Sequence, residues 1–294
     1  MDYIAGVNKL TDARRAAIVR SLCEGNSIRA TRRLTGAAKA TVLKLLVELG
    51  EFCSIYQDVT LRNLPCTRVE ADEIWSFVGA KAANATKDGD GDIWTYTAMD
   101  ANSKLMISWL VGQRIGEATR QFMADLAPRL ANRVQLTTDG LPWYPGAVEA
   151  AFGWNGCDYA QIRKEYGSTH EGPTGGRYSR SPVVVAVEKT PVMGRPDESK
   201  ISTSYVERSN LNIRMSNRRF TRLTNAFSKK AENHAHAVSL MFFHYNYCRP
   251  HTTLTKAANG VRTTPAMAAG ISDHVWTVEE MLELLDPTRL LQSK

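Results

Sequence analysis

Asp72, Asp139 and Glu207 stand 67 and 68 residues apart in a chain of basic balance. Each falls where an expected strand or helix meets a loop, and arginines follow the third. Three carboxylates converging beside cations can hold two divalent metal ions, about 3.5–4 Å apart, against a phosphodiester. One ion activates the attacking oxygen and the other stabilises the leaving one. Mg²⁺ takes carboxylate oxygens and water, so such a site needs no histidine or cysteine cluster. On this reading Asp72, in a first strand, bridges both ions. Asp139, at the end of a neighbouring strand, holds one, and Glu207, on a helix, holds the other.

Each acid also has an ordinary explanation. Asp72 lies within Glu70-Ala71-Asp72-Glu73, so a neighbour could be the functional acid, or the cluster could mark a sheet edge. Asp139 precedes Gly140 and could shape a turn. Ser204-Tyr205-Val206-Glu207 fits the S-x-x-E capping box, in which the glutamate satisfies a helix terminus. What favours chemistry is the company Glu207 keeps. On a helix starting near Ser204, Glu207, Asn210, Arg214 and Arg218 recur at intervals of three and four and form one polar stripe. Leu211, Met215 and Phe220 cover another side. A carboxylate leading an Asn/Arg stripe suits metal and phosphate better than a buried face.

The elements that must position these residues follow from periodicity and punctuation. Residues 11–51 read as three helices. Thr11 or Asp12 caps the first, Ser27 caps a short second one, Thr35-Gly36 makes a turn, and a third starts near Ala38. Ile28, Ala30, Thr31 and Leu34 face inward on the second. Short helix, glycine-containing turn, longer helix is the helix-turn-helix plan, in which the last helix enters the major groove. Arg29, Arg32, Arg33, Lys39, Thr41 and Lys44 then face outward, toward phosphates and base edges. Ala38 stands at a cap position where Ser or Asp is expected, which forfeits about 0.5–2 kcal/mol.

Residues 53–66 read as a linker or the tail of that helical unit. A strand interrupted near Asp72 follows, then strands over 93–99 and 105–111, a helix over 116–130, and a short strand ending at Asp139. This is a ribonuclease H-like order of elements, shared with other α/β proteins. Residues 167–200 read as loops with one strand or hairpin, and helices follow over 203–219 and 232–247. The expected organisation is a helix-turn-helix domain over 1–52 and an α/β catalytic domain over 67–255, with an insertion at about 167–200. A C-terminal tail with a short helix occupies 256–294.

Composition limits the class. Of 294 residues, 43% are hydrophobic and 23% charged, which is ordinary for a globular chain. No apolar run approaches the roughly 20 residues of a membrane span, and the N-terminus lacks a secretory pattern, so a cytoplasmic protein without a membrane partner is expected. The five cysteines are odd in number and scattered, with no C-x-x-C pair, which argues against a disulfide framework or a zinc knuckle. Between Lys200 and Arg262 eleven Lys/Arg face two acids, an excess that favours a polyanion partner.

The segment Thr203–Arg214, with its Glu207-Arg208-Ser209-Asn210-Leu211 core, resembles the E-R-x-N-L-x-x-R segment of bacterial insertion-sequence DDE transposases, most like the insertion-sequence-one type. Asp72-Glu73-Ile74-Trp75-Ser76-Phe77-Val78-Gly79 resembles their first-acid motif, and Thr138-Asp139-Gly140 with Tyr144 their second. Tyr245-Asn246-Tyr247-Cys248-Arg249-Pro250-His251 and Thr264-Pro265 are similar to their Y-N…R-P-H…T-P tail.

The resemblance implies a ribonuclease H-like fold and dependence on Mg²⁺ or Mn²⁺, two ions per site. It also implies a homo-oligomer acting on double-stranded DNA, both element ends and target, with water cutting first and the freed 3′-hydroxyl then attacking. Arg208, Asn210, Arg214, Arg218, Arg219, Arg222, Arg249 and His251 are its expected DNA contacts. His251 and His170 could place a phosphate or proton, though a structural role is the simpler one. Trp143 and Trp154 are expected in the core. One departure is the absent zinc knuckle that the insertion-sequence-one type commonly carries. The rival readings are a non-catalytic DNA-binding repressor or domesticated derivative, and a nuclease that cuts without joining.

Overall fold

Two of the three N-terminal helices start on side-chain caps. The computed structural model describes residues 10–167, 184–221 and 226–285. Helix α1 (Asp12–Cys23) is capped by Thr11, whose hydroxyl accepts from the Arg14 N–H at 3.4 Å. Helix α2 (Ile28–Thr35) begins at Ser27, which accepts from the Ala30 N–H at 3.1 Å. It ends on Gly36 at φ +67°, a left-handed backbone that glycine adopts without penalty. Helix α3 (Lys39–Thr60) starts at Ala38 with no side-chain cap. It then runs through much of the segment expected as linker, because Cys53, Gln57 and Leu61 extend its buried face at four-residue steps. Leu34, expected inward, is 69% exposed, and Thr31 fills the packed side of α2 instead.

The centre of the molecule is a mixed sheet of β1 (Arg68–Val78), β2 (Gly91–Asp100), β3 (Met106–Gly112), β4 (Gln135–Asp139), β5 (Asp158–Tyr166) and β6 (Val184–Met193). Its order is β3-β2-β1-β4-β5-β6. The β1–β4 and β4–β5 pairs are parallel, and the other three are antiparallel. This six-stranded mixed sheet flanked by helices is compatible with a ribonuclease H-like arrangement. The expected break in β1 near Asp72 does not occur. Asp72 pairs with Thr97 on β2, and the β4 ladder reaches Ala71 on the other side, so both edges of the strand are hydrogen-bonded.

Helices α4 (Gly116–Leu126) and α5 (Tyr144–Phe152) cover one sheet face, where Phe122, Met123, Tyr144 and Val148 join Ala71, Tyr96, Ala98 and Leu136. Helices α6 (Ser204–Ser216) and α7 (Ala231–Phe243) cover the other, where Ile213, Val238 and Phe242 meet Ile74, Met99 and Met106.

The C-terminal segment holds α8 (Thr252–Ala257), α9 (Pro265–Ala268) and α10 (Val278–Glu283). It returns to the N-terminal helices. Trp276 sits against Tyr56 of α3, with ring centroids 5.5 Å apart, and against Phe243 and Tyr247 at 5.6 Å each. Glu279 pairs with Arg20 of α1. Helix α3 also lies close on α7, where Gly50 leaves no room for a Cβ beside His236. The N-terminal helices, one sheet face and the tail therefore share one core. Among the described residues, no helix is long and apolar enough to cross a membrane, and the five cysteines are free thiols, four of them buried.

Candidate active site

Side chains alternate along a strand, and on β1 this separates the four residues that sequence alone left ambiguous. Glu70 and Asp72 point to the face carrying α6, with Ile74, while Ala71 and Glu73 point toward α4 and α5. The last paired residues of β1 and β4 are Ala71 and Thr138. Asp72 and Asp139 are the next residue on each strand, which sets them side by side. Oxygens of Asp72, Glu73 and Asp139 all lie within 4.8 Å of one another, close enough for a metal ion.

These carboxylates are poorly neutralised. Burial pushes Asp72 well above the usual carboxylate range, and Glu73, Asp139 and Glu207 push it further. Burial, then the charge of Asp139, raises Glu73 to about 7, against the pull of Arg114. Burial also raises Asp139, with Glu207 adding to the rise and Arg114 opposing it. Glu73 is buried and Asp72 and Asp139 are half-buried, and carboxylates brought together with raised pKa values mark a candidate functional site.

Each acid has a distinct holder. Arg114, just past β3, donates to Glu73 Oε1 from Nε at 2.7 Å and from Nη2 at 2.6 Å, and its Nη2 lies 3.6 Å from Asp139. The Tyr144 hydroxyl donates to Glu73 Oε2 at 3.1 Å. Asp139 Oδ1 accepts from the Leu141 N–H at 3.1 Å, so it shapes the turn after β4 as well as facing Asp72. Asn210 Nδ2 donates to Asp72 Oδ2 at 2.7 Å, which ties α6 to β1.

Glu207 lies on the first turn of α6 and is not one of the three clustered acids. Lys164 of β5 donates to both its oxygens, at 2.5 Å to Oε2, and the Thr203 hydroxyl donates to Oε1 at 2.6 Å. Its charge still reaches Asp72 and Asp139. The capping-box role does not fall to it. Glu70 takes that role from β1, where its Oε2 accepts the N–H groups of Tyr205 and Val206 at 2.8 and 3.1 Å.

The expected DNA contacts divide into groups. Arg29, Arg32, Arg33, Lys39 and Lys44 are exposed on α2 and the start of α3, and Thr41 is half-buried. Arg208, Arg218 and Arg249 are exposed, while Asn210 is engaged with Asp72. Arg214 is half-buried and donates to the Phe220 carbonyl at 3.3 Å. Arg219 turns inward, donating to Ser228 at 2.7 Å, and burial lowers its pKa to about 10. His251 is half-buried. Arg222 and His170 lie outside the described residues. Trp143 and Trp154, expected in the core, are 43% and 85% exposed. They flank the ends of α5, where the packed side is already filled by Tyr144, Ala147 and Val148.

Sequence reasoning missed Arg114 and Lys164. Neither sits in a motif, and only the folded sheet brings them to the acids. Residues 65–166 match the family model described as IS1 transposase. That stretch, about a third of the chain, spans β1 to β5 and carries Asp72, Glu73, Asp139, Arg114 and Lys164, but stops before Glu207. No curated protein matches the chain.

Proposed function

We propose that this chain is a DNA transposase that binds the ends of a mobile element and catalyses metal-dependent strand cleavage and strand transfer on a ribonuclease H-like domain. The observation that carries the reading is the cluster of Asp72, Glu73 and Asp139, within the stretch that matches the IS1 transposase model. The donor set is all oxygen and its carboxylates are under-neutralised, which fits Mg²⁺ or Mn²⁺ and not a softer metal. Two such ions, when bound, would neutralise the phosphorane and favour an oxygen nucleophile.

In this reading Asp72 and Asp139 would be the central ligands and Glu207, paired with Lys164 in the structure, the third acid. Glu207 belongs to the same sheet face as Asp72, whereas Glu73 is clamped by Arg114 and Tyr144 on the other. Glu73 is then a positioning residue that keeps Arg114 beside Asp139. Asn210 orients Asp72, and Lys164, beside Glu207, would meet a phosphate oxygen. The exposed arginines and lysines of α2 and α3 would hold element ends in a helix-turn-helix mode. Arg208, Arg218 and Arg249 add backbone contacts. The protein would act as a homo-oligomer on paired DNA ends, in the bacterial cytoplasm.

The test is Asp139→Asn in the full chain. Mg²⁺-dependent cleavage of DNA carrying the element ends should be abolished, with DNA affinity nearly unchanged. Cleavage at the wild-type rate would remove the assigned centre.

A further inference from the structure

Helix α6 has a second working face. At about 100° per residue, Tyr205, Arg208, Ser209 and Asn212 lie roughly opposite Glu207, Asn210 and Arg214. They line a cavity of about 370 Å³, closed by Lys104 beyond β2, by Tyr245, and by the chain from Arg249 to Thr253. Lys104, Arg208, Arg249, His244 and His251 all face it, and no Asp or Glu does. Among the described residues, Lys104, Arg208 and Arg249 have no carboxylate ion-pair partner.

Lys104 is the telling member. It is 7% exposed, and its ammonium group sits 3.1 Å from the centre of the Tyr205 ring and donates to the Ala101 carbonyl. Its backbone is fixed at φ +62°, and the Tyr245 hydroxyl donates to its carbonyl at 3.0 Å. Burial, then the charge of Arg68, lower its pKa against the pull of Glu70 and Asp100, neither of which pairs with it, so a further negative charge would stabilise this ammonium. Its neighbours add to the deficit. Burial, then Lys104 and Arg249, push the His251 imidazole down, and its Nδ1 is buried with no hydrogen-bond partner. The Arg249 guanidinium donates to Ser216, at 3.1 Å, another residue of the same wall.

The cavity also exceeds what an inorganic anion needs, since ligand sites start at about 300 Å³. Met99, Phe242 and Tyr245 add apolar and aromatic atoms to its walls, beside the polar Ser209, Asn212, Ser216, Thr252 and Thr253, and suit a flat ring.

We infer that this cavity binds a single nucleotide unit, its phosphate held by Arg208, Arg249 and Lys104 and its base against the aromatic wall, apart from the acids across α6. The inference rests on the cavity alone and does not require strand transfer to be the protein's activity. Two sources share this chemistry, a free nucleotide and the unpaired end of a DNA strand.

The experiment is isothermal titration of the full chain, in EDTA, with thymidine 5′-monophosphate, thymidine and inorganic phosphate. The monophosphate should bind one to one, more tightly than phosphate, and thymidine should not bind. Arg208→Gln and Arg249→Gln should each weaken it at least about tenfold, while Asp139→Asn leaves it unchanged. Among the described residues the Arg208 side chain donates no hydrogen bond, so its variant serves if Arg249→Gln misfolds. A 5′-phosphorylated single-stranded oligonucleotide that displaces the monophosphate identifies a strand end as the occupant, and failure to displace it identifies a free nucleotide. Absence of saturable monophosphate binding, equal affinity for bare phosphate, or loss of binding in Asp139→Asn would overturn the proposal. The first two outcomes leave the cleavage reading standing, so the two failures are distinguishable.

Discussion

Glu73 and Glu207 compete for the third place at the acid pair, and they differ in how they are restrained. Glu73 is fixed by a guanidinium and a phenol, while Glu207 is held by one flexible ammonium and a threonine hydroxyl. We expect Glu207→Gln to abolish cleavage and Glu73→Gln to reduce it about tenfold or less through loss of the Arg114 position. Single-turnover rates on the same DNA decide, and the reverse order would make Glu73 the ligand. Glu73 also titrates in a way stability can report. Its folded pKa is raised from 4.5 to about 7, so between those values the folded protein holds a proton that the unfolded chain has lost. Stability from this group therefore falls as pH rises through that window, by on the order of 2–3 kcal/mol. Buried His234, lowered to about 3 by burial and by Arg219, titrates in the opposite sense. The difference between wild type and Glu73→Gln in denaturant titrations from pH 4 to 8 reports the glutamate together with Asp139, whose charge acts on it, and excess Mg²⁺ should shrink it. Asp72 and Asp139 were legible from type and spacing. Which neighbour of Asp72 does what was not, because it depends on which face of β1 each residue occupies.

Helix α6 is positioned by a strand and not by its own sequence. Its N-terminal N–H groups are satisfied by Glu70 across the sheet face, and its Asn210 reaches Asp72. Glu70→Ala should cost about 1–3 kcal/mol by leaving two N–H groups unpaired, and it should slow cleavage although Glu70 is not one of the clustered acids. Urea denaturation and the cleavage rate check this together. A stability loss with an unchanged rate would show that α6 keeps its place without the cap. The S-x-x-E pattern pointed to a local cap, and local patterns cannot reveal that a distant carboxylate has a better line to the same donors. Helix starts at Thr11 and Ser27 were readable because those caps are local. The continuation of α3 to Thr60 stayed open between a linker and the tail of the helical unit, since its last turns are held by tertiary contacts, including Gln57 donating to the Ser239 carbonyl at 3.3 Å.

At the scale of the molecule, the aromatic group of Tyr56, Phe243, Tyr247 and Trp276 joins three stretches that sequence had assigned to linker, catalytic domain and tail. Trp276→Ala should cost about 3–5 kcal/mol. Because the core is shared, denaturation followed by far-UV circular dichroism and by fluorescence should remain a single coincident transition. Separate early loss of helix signal would mean that the N-terminal helices fold as their own unit. The strands over 93–99 and 105–111, the helix over 116–130 and the strand ending at Asp139 followed from the pattern of apolar segments, whereas α5, β5 and the strand order of the sheet did not. The docking of the tail did not, because a lone tryptophan carries no mark of its partner.

The unbroken α3 has a further consequence. Twenty-two residues at 1.5 Å each make a strut of about 33 Å, braced at Gly50 and Gln57 against α7. A strut works as a gauge. On the proposed function, DNA gripped at its exposed beginning would meet the acids at one span and one angle, and the interval between gripped sequence and scissile bond would become a property of the protein. Cutting at an invariant offset would then be fixed by steel-rule geometry and not by any reading of the bases at the cut.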